Sequence, residues 1–150
     1  MVVFRLERSS PISEDNSGYL FIQIIRAAAL REFEELLGTK LRALYQRKKG
    51  RDLYDLWRAI TSLKLDDRKI VECFERYLVN GGISISRAEF EENLVGKLRD
   101  PAFIDDMDPL LPTGVNYNIA EAGELIRNRL VAMVRGEPWK GKGNVRPRGR

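Results

Sequence analysis

Histidine is absent from the 150 residues of this chain, and cysteine occurs once, at Cys73. Without an imidazole, Ser-His-Asp and Cys-His catalysis are excluded, and so are the usual zinc sites, which need imidazoles or several thiolates. A single cysteine excludes an internal disulfide and is compatible with a reducing cytoplasm. No apolar run approaches the ~20 residues of a membrane-spanning helix, and the first residues do not resemble a signal peptide. We therefore expect a cytoplasmic protein.

The composition is that of an ordinary soluble domain, with 43% hydrophobic and 32% charged residues. The length fits one domain with a modest core. The net charge of +4 is uneven, because residues 136–150 carry all of it and residues 1–135 sum to zero. This tail is rich in glycine and proline and has little to bury, so we expect it to be disordered. It is either a solvated tail without a target or a segment that contacts RNA phosphates.

Two segments near the N-terminus are rich in β-branched and aromatic residues, namely residues 2–6 and residues 19–25. Turn-forming residues separate them, so residues 1–30 are predicted to contain a β-hairpin. An isolated two-stranded hairpin is only marginally stable in water. The hairpin therefore either packs on the helices or pairs with a strand of another chain, and we expect a homodimer formed through it.

Residues 31–135 are predicted to form a helical domain of about five helices, since apolar residues recur there at helical spacing. The first two helices span residues 31–48 and 52–63, and residues 101–117, with three prolines, are predicted to be irregular. Three further helices begin at capping residues: Asp66, Ser86 and Asn118. The predicted fold class is mainly α (α+β): an N-terminal β-hairpin, a helical bundle and a disordered basic tail.

One charged residue breaks the pattern of the first helix. On a helical wheel Lys40 falls within the apolar stripe of Phe33, Leu37 and Leu44. A lysine in this position either extends its ammonium to the edge of the core or presents it to an internal cleft. Local violations of this kind are typical of functional sites, so Lys40 is a candidate site residue.

The second helix begins with two aspartates, Asp52 and Asp55. Aspartate at a helix start also stabilises the helix by accepting backbone N–H bonds, so a purely structural role is possible. Asp52 lies at the edge of the apolar face and Asp55 further out, which predicts that Asp52 points inward and reaches Lys40. A basic connection precedes them: Arg47, Lys48, Lys49 and Arg51. Beside a lysine and an aspartate, these cations suit the phosphates of a nucleoside triphosphate.

The stretch from Leu36 to Trp57 resembles the AbiEii/AbiGii toxin family of nucleotidyltransferase-like abortive-infection proteins. Two family motifs carry the resemblance: a lysine in Glu-Leu-Leu-x-x-Lys-Leu-x-Ala-Leu and an aspartate in Arg-Asp-x-x-Asp-Leu. They map to Lys40 and Asp52, which would be the catalytic residues. Lys48, Arg51 and Asp55 would bind the substrate. The resemblance implies transfer of nucleotides from a triphosphate, in characterised members to tRNA, and neutralisation by a cognate antitoxin.

The chain departs from the family in its upstream motifs, a Gly-Ser or Gly-Gly turn and a strand with Asp-x-Asp that binds Mg²⁺. Residues 1–39 contain neither motif. Gly81-Gly82 and Asp106-Met107-Asp108 occur in the wrong order, after the lysine motif, so we interpret them as coincidence. No metal site is therefore expected in this chain alone, and Mg²⁺ and the triphosphate are implied only for the complete family site.

Three hypotheses follow. The chain is the C-terminal portion of such an enzyme, truncated and inactive alone. Alternatively, it is a non-catalytic helical module that binds a protein or RNA. In the third hypothesis, another chain supplies Asp-x-Asp in trans.

Overall fold

The computed structural model of the protein describes the backbone of residues 16–141 and the side chains of residues 22–141. Within that range it consists of six α-helices and two short 3₁₀ turns, without a β-strand. The helices are α1 (Asn16–Gln46), α2 (Gly50–Ser62), α3 (Asp67–Asn80), α4 (Arg87–Lys97), α5 (Pro101–Asp105) and α6 (Ile119–Arg129). The 3₁₀ turns span Asp108–Leu110 and Val131–Met133.

The predicted β-hairpin is wrong for its second strand, because residues 19–25 lie inside α1. A short apolar run fits a strand or a helix equally well, so its neighbours decide. Here the run continues directly into Arg26-Ala27-Ala28-Ala29-Leu30, a sequence of strong helix formers without a breaker. The other predicted strand, residues 2–6, lies outside the described residues. The domain boundary predicted at residue 30 lies within α1.

The remaining helices begin close to where their capping residues predicted. The Asp66 side chain accepts a hydrogen bond from the backbone N–H of Lys69, and Ser86 and Glu89 form a complete capping box. Asn118 accepts from the first turn of α6. Residues 101–117 are less irregular than predicted. Asp100 caps α5 and Pro101 occupies its first turn, where a missing N–H costs nothing.

Helices α1 and α3 pack closely and run in the same direction. A Cβ on Gly38 of α1 would lie 2.7 Å from Cys73 Cβ of α3, so only glycine permits this approach. Further along both helices, the Arg42 guanidinium lies 5.7 Å from the centre of the Tyr77 ring. Because α2 connects α1 to α3 and packs on α1 and α6, it lies within the bundle.

The core fills the space between these helices. Its largest fully buried side chains include Phe74, Phe90 and Phe103. The part of α1 before the core is exposed from residue 23 to residue 29, and Ile24 retains 60% of its accessible surface. No helix in the described range is long and apolar enough to cross a membrane. Residues 142–150 of the predicted disordered tail lie outside that range.

Candidate functional site

Lys40 projects from the C-terminal part of α1 toward α2, where its ammonium meets two carboxylates. Its Nζ lies 3.0 Å from Asp55 Oδ2 and 3.6 Å from Asp52 Oδ1. The Lys40 side chain is 20% exposed, so it contacts the interior while part of it remains open to solvent. Of the two alternatives that the sequence left open for Lys40, the structure has the second, because the ammonium faces an internal cluster of carboxylates.

Asp52 is fully buried at the start of α2, as its position on the helical wheel predicted. The prediction for Asp55 was wrong, since its side chain is also buried and lies nearer to Lys40 than Asp52 does. The wheel assumed that only one face of α2 is covered. In the structure α2 packs against α1, α5 and α6, which buries a wider arc of the helix and brings Asp55 inside.

Arg47 completes the environment of Asp52. Its guanidinium donates two hydrogen bonds to that carboxylate, from Nη2 at 2.7 Å and from Nε at 3.2 Å. This hydrogen bonding, together with the negative charge of Asp52, raises the pKa of Arg47 further above its usual value. The Arg47 side chain is 52% exposed, so it can also meet a ligand from the solvent side. The buried Asp52 carboxylate therefore contacts two cations, Arg47 and Lys40, from the interior side.

The two predicted phosphate-binding cations, Lys48 and Arg51, each face a carboxylate near α5. Lys48 Nζ lies 2.8 Å from Asp100 Oδ2, and Arg51 Nε lies 3.5 Å from Asp106 Oδ2. The backbone N–H of Arg51 also donates to Asp106. The close approach depends on Gly50, because a Cβ there would lie 2.3 Å from the carbonyl oxygen of Phe103. Asp106, interpreted from the sequence as part of a coincidental motif, is thus a partner of the basic turn.

Lys97, the last residue of α4, is a member of this region that the sequence interpretation missed. It is only 7% exposed, and its Nζ donates to the carbonyl oxygens of Leu44 and Tyr45 at the end of α1. Burial lowers the pKa of Lys97 to about 8, with the charge of Asp52 opposing this decrease and that of Lys48 adding to it. A helical wheel could have found it, since Lys97 follows the buried Leu94 by three positions.

The cluster suits an anion better than a metal ion. Every carboxylate in it already faces an ammonium or a guanidinium: Lys40 and Arg47 for Asp52, and Lys40 for Asp55. Among residues 16–141, no group of three or more Cys, Asp or Glu residues is arranged to hold a metal ion. The residues described here therefore do not fit Mg²⁺. The exposed sides of Lys40, Arg47, Lys48 and Arg51 can instead meet phosphate oxygens.

A comparison with protein-family models matches residues 31–125 to the family described as "Nucleotidyl transferase AbiEii toxin, Type IV TA system". Comparisons with curated proteins and with solved structures gave no match. The matched range includes α2 and the whole cluster around Asp52. The resemblance inferred from the lysine and aspartate motifs is thereby confirmed at the level of the family.

Proposed function

The chain belongs to the AbiEii family of nucleotidyl transferase toxins of type IV toxin–antitoxin systems, and from that premise we propose that its Lys40–Asp52 cluster binds the phosphates of a nucleoside triphosphate. The family also implies a cognate antitoxin as a partner. The observation that carries the proposal is the Lys40 ammonium, which lies near two carboxylates of α2 on a side chain that is still 20% exposed.

In the cluster, a buried carboxylate orients the cations and the exposed parts of the cations meet the ligand. Asp52 is buried and fixes the directions of Lys40 and Arg47, while both cations keep a solvent-facing side. A polyphosphate carries more negative charge than a carboxylate and would take the Lys40 ammonium from Asp55. Lys48 and Arg51 add positive charge at the exposed edge of the cluster when the phosphates compete with Asp100 and Asp106 for them. In this proposal Lys40 and Arg47 make the main phosphate contacts, and Asp55 is the group displaced.

Nucleotidyl transfer joins the α-phosphate to an acceptor hydroxyl and releases pyrophosphate. In the complete family site the acceptor would be a tRNA hydroxyl, and Lys40 would neutralise the charge that develops on the leaving pyrophosphate. The described carboxylates do not fit Mg²⁺, and the chain lacks the Asp-x-Asp element expected upstream of the lysine motif. We therefore propose that this chain alone binds the triphosphate without transferring it.

Titration calorimetry with ATP, GTP, CTP and UTP tests the binding step, first in EDTA and then with Mg²⁺. We expect Lys40→Ala to weaken the binding roughly 10- to 100-fold, the range of one charge-assisted contact. Lys64→Ala is the matched control, because Lys64 is exposed just beyond the other end of α2. Equal affinity in the unsubstituted chain and in Lys40→Ala would refute the proposed site.

The absence of transfer is tested separately. The purified chain is incubated with each labelled triphosphate, Mg²⁺ and total tRNA, and the RNA is separated by electrophoresis. We expect no label on the RNA. Labelling that requires Lys40 would show instead that the chain is a complete catalyst.

A further inference from the structure

Lys97 connects α4 to the carbonyl end of α1. The last four carbonyl groups of a helix have no partner within the helix. The last turn of α1 contains no basic residue, which would otherwise supply a favourable charge there. Lys97 provides both missing elements from another helix, because its buried Nζ donates to the carbonyl oxygens of Leu44 and Tyr45.

The position where α1 ends determines the geometry of the phosphate-binding cluster. Arg47 follows Tyr45 by two residues, and its backbone N–H donates to the carbonyl oxygen of Ala43 at 2.7 Å. The Arg47 side chain then reaches Asp52, whose carboxylate also faces Lys40. A displacement of the last turn of α1 would therefore move Arg47, release Asp52 and change the surroundings of Lys40.

We propose that Lys97 is a positioning residue of this cluster, which holds the end of α1 so that Arg47 and Asp52 orient Lys40 for a polyphosphate. The proposal rests on the proposed function and extends it to Lys97, a residue of α4 that is only 7% exposed. Lys97 does not touch the ligand, because its ammonium is directed at two backbone carbonyl groups.

The groups that face the Lys97 ammonium are Tyr45 of α1, Lys48 in the following turn and Asp52 of α2. Because the pKa of Lys97 is about 8, its amine is mostly protonated at neutral pH and loses its charge as the pH rises above about 8. A neutral amine is a weaker donor to the two carbonyl groups and no longer interacts favourably with the negative end of the helix dipole. Polyphosphate affinity should therefore fall as the pH rises through about 8.

The experiment measures the affinity for inorganic tripolyphosphate in EDTA, from about pH 6.5 to about pH 9.5. Lys97→Met retains most of the side-chain volume and removes the ammonium. We expect it to bind about 5- to 50-fold more weakly than the unsubstituted chain near neutral pH, within the usual range of coupling between sites. The two proteins should converge above about pH 9, where both lack the charge. The ligand is the same at each pH, so its own titration cancels in this ratio.

Two further variants separate positioning from stability. Ile126→Val shortens a buried side chain on α6 and should lower stability without changing the affinity or its pH dependence. Lys97→Arg keeps the charge and should retain more affinity than Lys97→Met. If Lys97→Met binds as tightly as the unsubstituted chain at every pH, the positioning role is refuted while the phosphate site stands. If the unsubstituted chain binds no tripolyphosphate, both proposals fall.

A measurement on the unsubstituted chain covers the case in which Lys97→Met does not fold. The pKa of Lys97 is followed by NMR of its ε-methylene group with and without saturating tripolyphosphate. If protonated Lys97 favours binding, binding must raise the pKa of Lys97 by reciprocity. An unchanged pKa would refute the proposal.

Discussion

The Lys40 ammonium lies 3.0 Å from Asp55 Oδ2, closer than to Asp52, although Asp52 is the more deeply buried carboxylate. The two aspartates are three positions apart on α2, so both face the same side of that helix. Asp52 also binds Arg47, whereas the Oδ2 atom of Asp55 has the ion pair but no hydrogen bond. Lys40 is thus the one cation paired with Asp55 in the described residues, whereas Asp52 keeps Arg47, and Asp55 is the contact that a phosphate would replace in the proposed function.

Removing the two carboxylate charges that flank α5 should strengthen polyphosphate binding. Asp100 and Asp106 face Lys48 and Arg51, and each also accepts a backbone N–H, from Ala102 and Arg51 respectively. Asparagine keeps an acceptor oxygen at both positions but removes the charge. We expect the double variant Asp100→Asn/Asp106→Asn to bind tripolyphosphate roughly three- to tenfold more tightly, as two partly exposed ion pairs would allow. Calorimetry checks this.

The control for that experiment is Asp105→Asn, an exposed aspartate on α5 between the two. It removes one negative charge where the double variant removes two, so a non-specific electrostatic effect would appear in it at half the size. Equal gains per charge in the control and in the double variant would show that Lys48 and Arg51 do not contribute to the site.

Glu91 should make the stability of the chain depend on acidity. This buried carboxylate accepts hydrogen bonds from Arg87 and from the backbone N–H of Trp139, and lies near Arg127. Burial alone would raise the pKa of Glu91, but these donors and charges more than offset it and lower the pKa. A carboxyl whose pKa is lower in the folded chain than in the unfolded chain stabilises the fold at any pH above its unfolded pKa of about 4.3. That stability is lost as the pH falls through the pKa of the folded chain.

We therefore expect Glu91→Gln to unfold more easily at neutral pH, by about 2 kcal/mol, and to lose less stability on acidification than the unsubstituted chain. Urea unfolding at several pH values between about 7 and about 3 measures both effects. Glu92→Gln, at the exposed neighbouring position of α4, should retain the full acid dependence. An identical pH profile in Glu91→Gln would contradict this account of the buried carboxylate.

Two glycines in helices should respond to alanine in opposite directions. A Cβ on Gly38 would meet Cys73 Cβ at 2.7 Å and the backbone of α3 at 3.0 Å, so Gly38→Ala should destabilise the chain by about 1–3 kcal/mol. Gly96 of α4 has nothing within 4 Å of that position, so Gly96→Ala should stabilise it by about 0.5–1 kcal/mol. Thermal and urea unfolding measure both changes. Destabilisation of similar size in the two variants would contradict the close α1–α3 packing.

The sequence could predict those structural features that depend only on residues close together in the chain. Asp66, Ser86 and Asn118 mark helix starts because a cap satisfies N–H groups only two or three residues away. Residues 19–25 could not be assigned from their own apolar character, since the helix formers that follow decided their conformation.

The same limit applies to the site. Lys40 could be identified because its charge lies within the apolar face of its helix. Asp52 could be identified because it lies at the edge of such a face. The burial of Asp55 and the contact of Lys97 with α1 depend on how separate helices pack, which one helical wheel does not contain. The partners of Lys48 and Arg51 come from residues near 100 and 106 and are equally non-local.

In the proposed function the Lys40 ammonium is the group on which a nucleoside triphosphate binds. This assignment is tested most directly by NMR of a chain whose lysine ε-carbons are labelled with ¹³C, titrated with ATP. Lys40→Arg identifies the Lys40 signal by its loss, and Lys64→Arg identifies that of the control. We expect the Lys40 signal to shift most and to follow the same saturation curve as the calorimetric binding. ATP binding that leaves the Lys40 signal in place while other lysines shift would contradict the assignment.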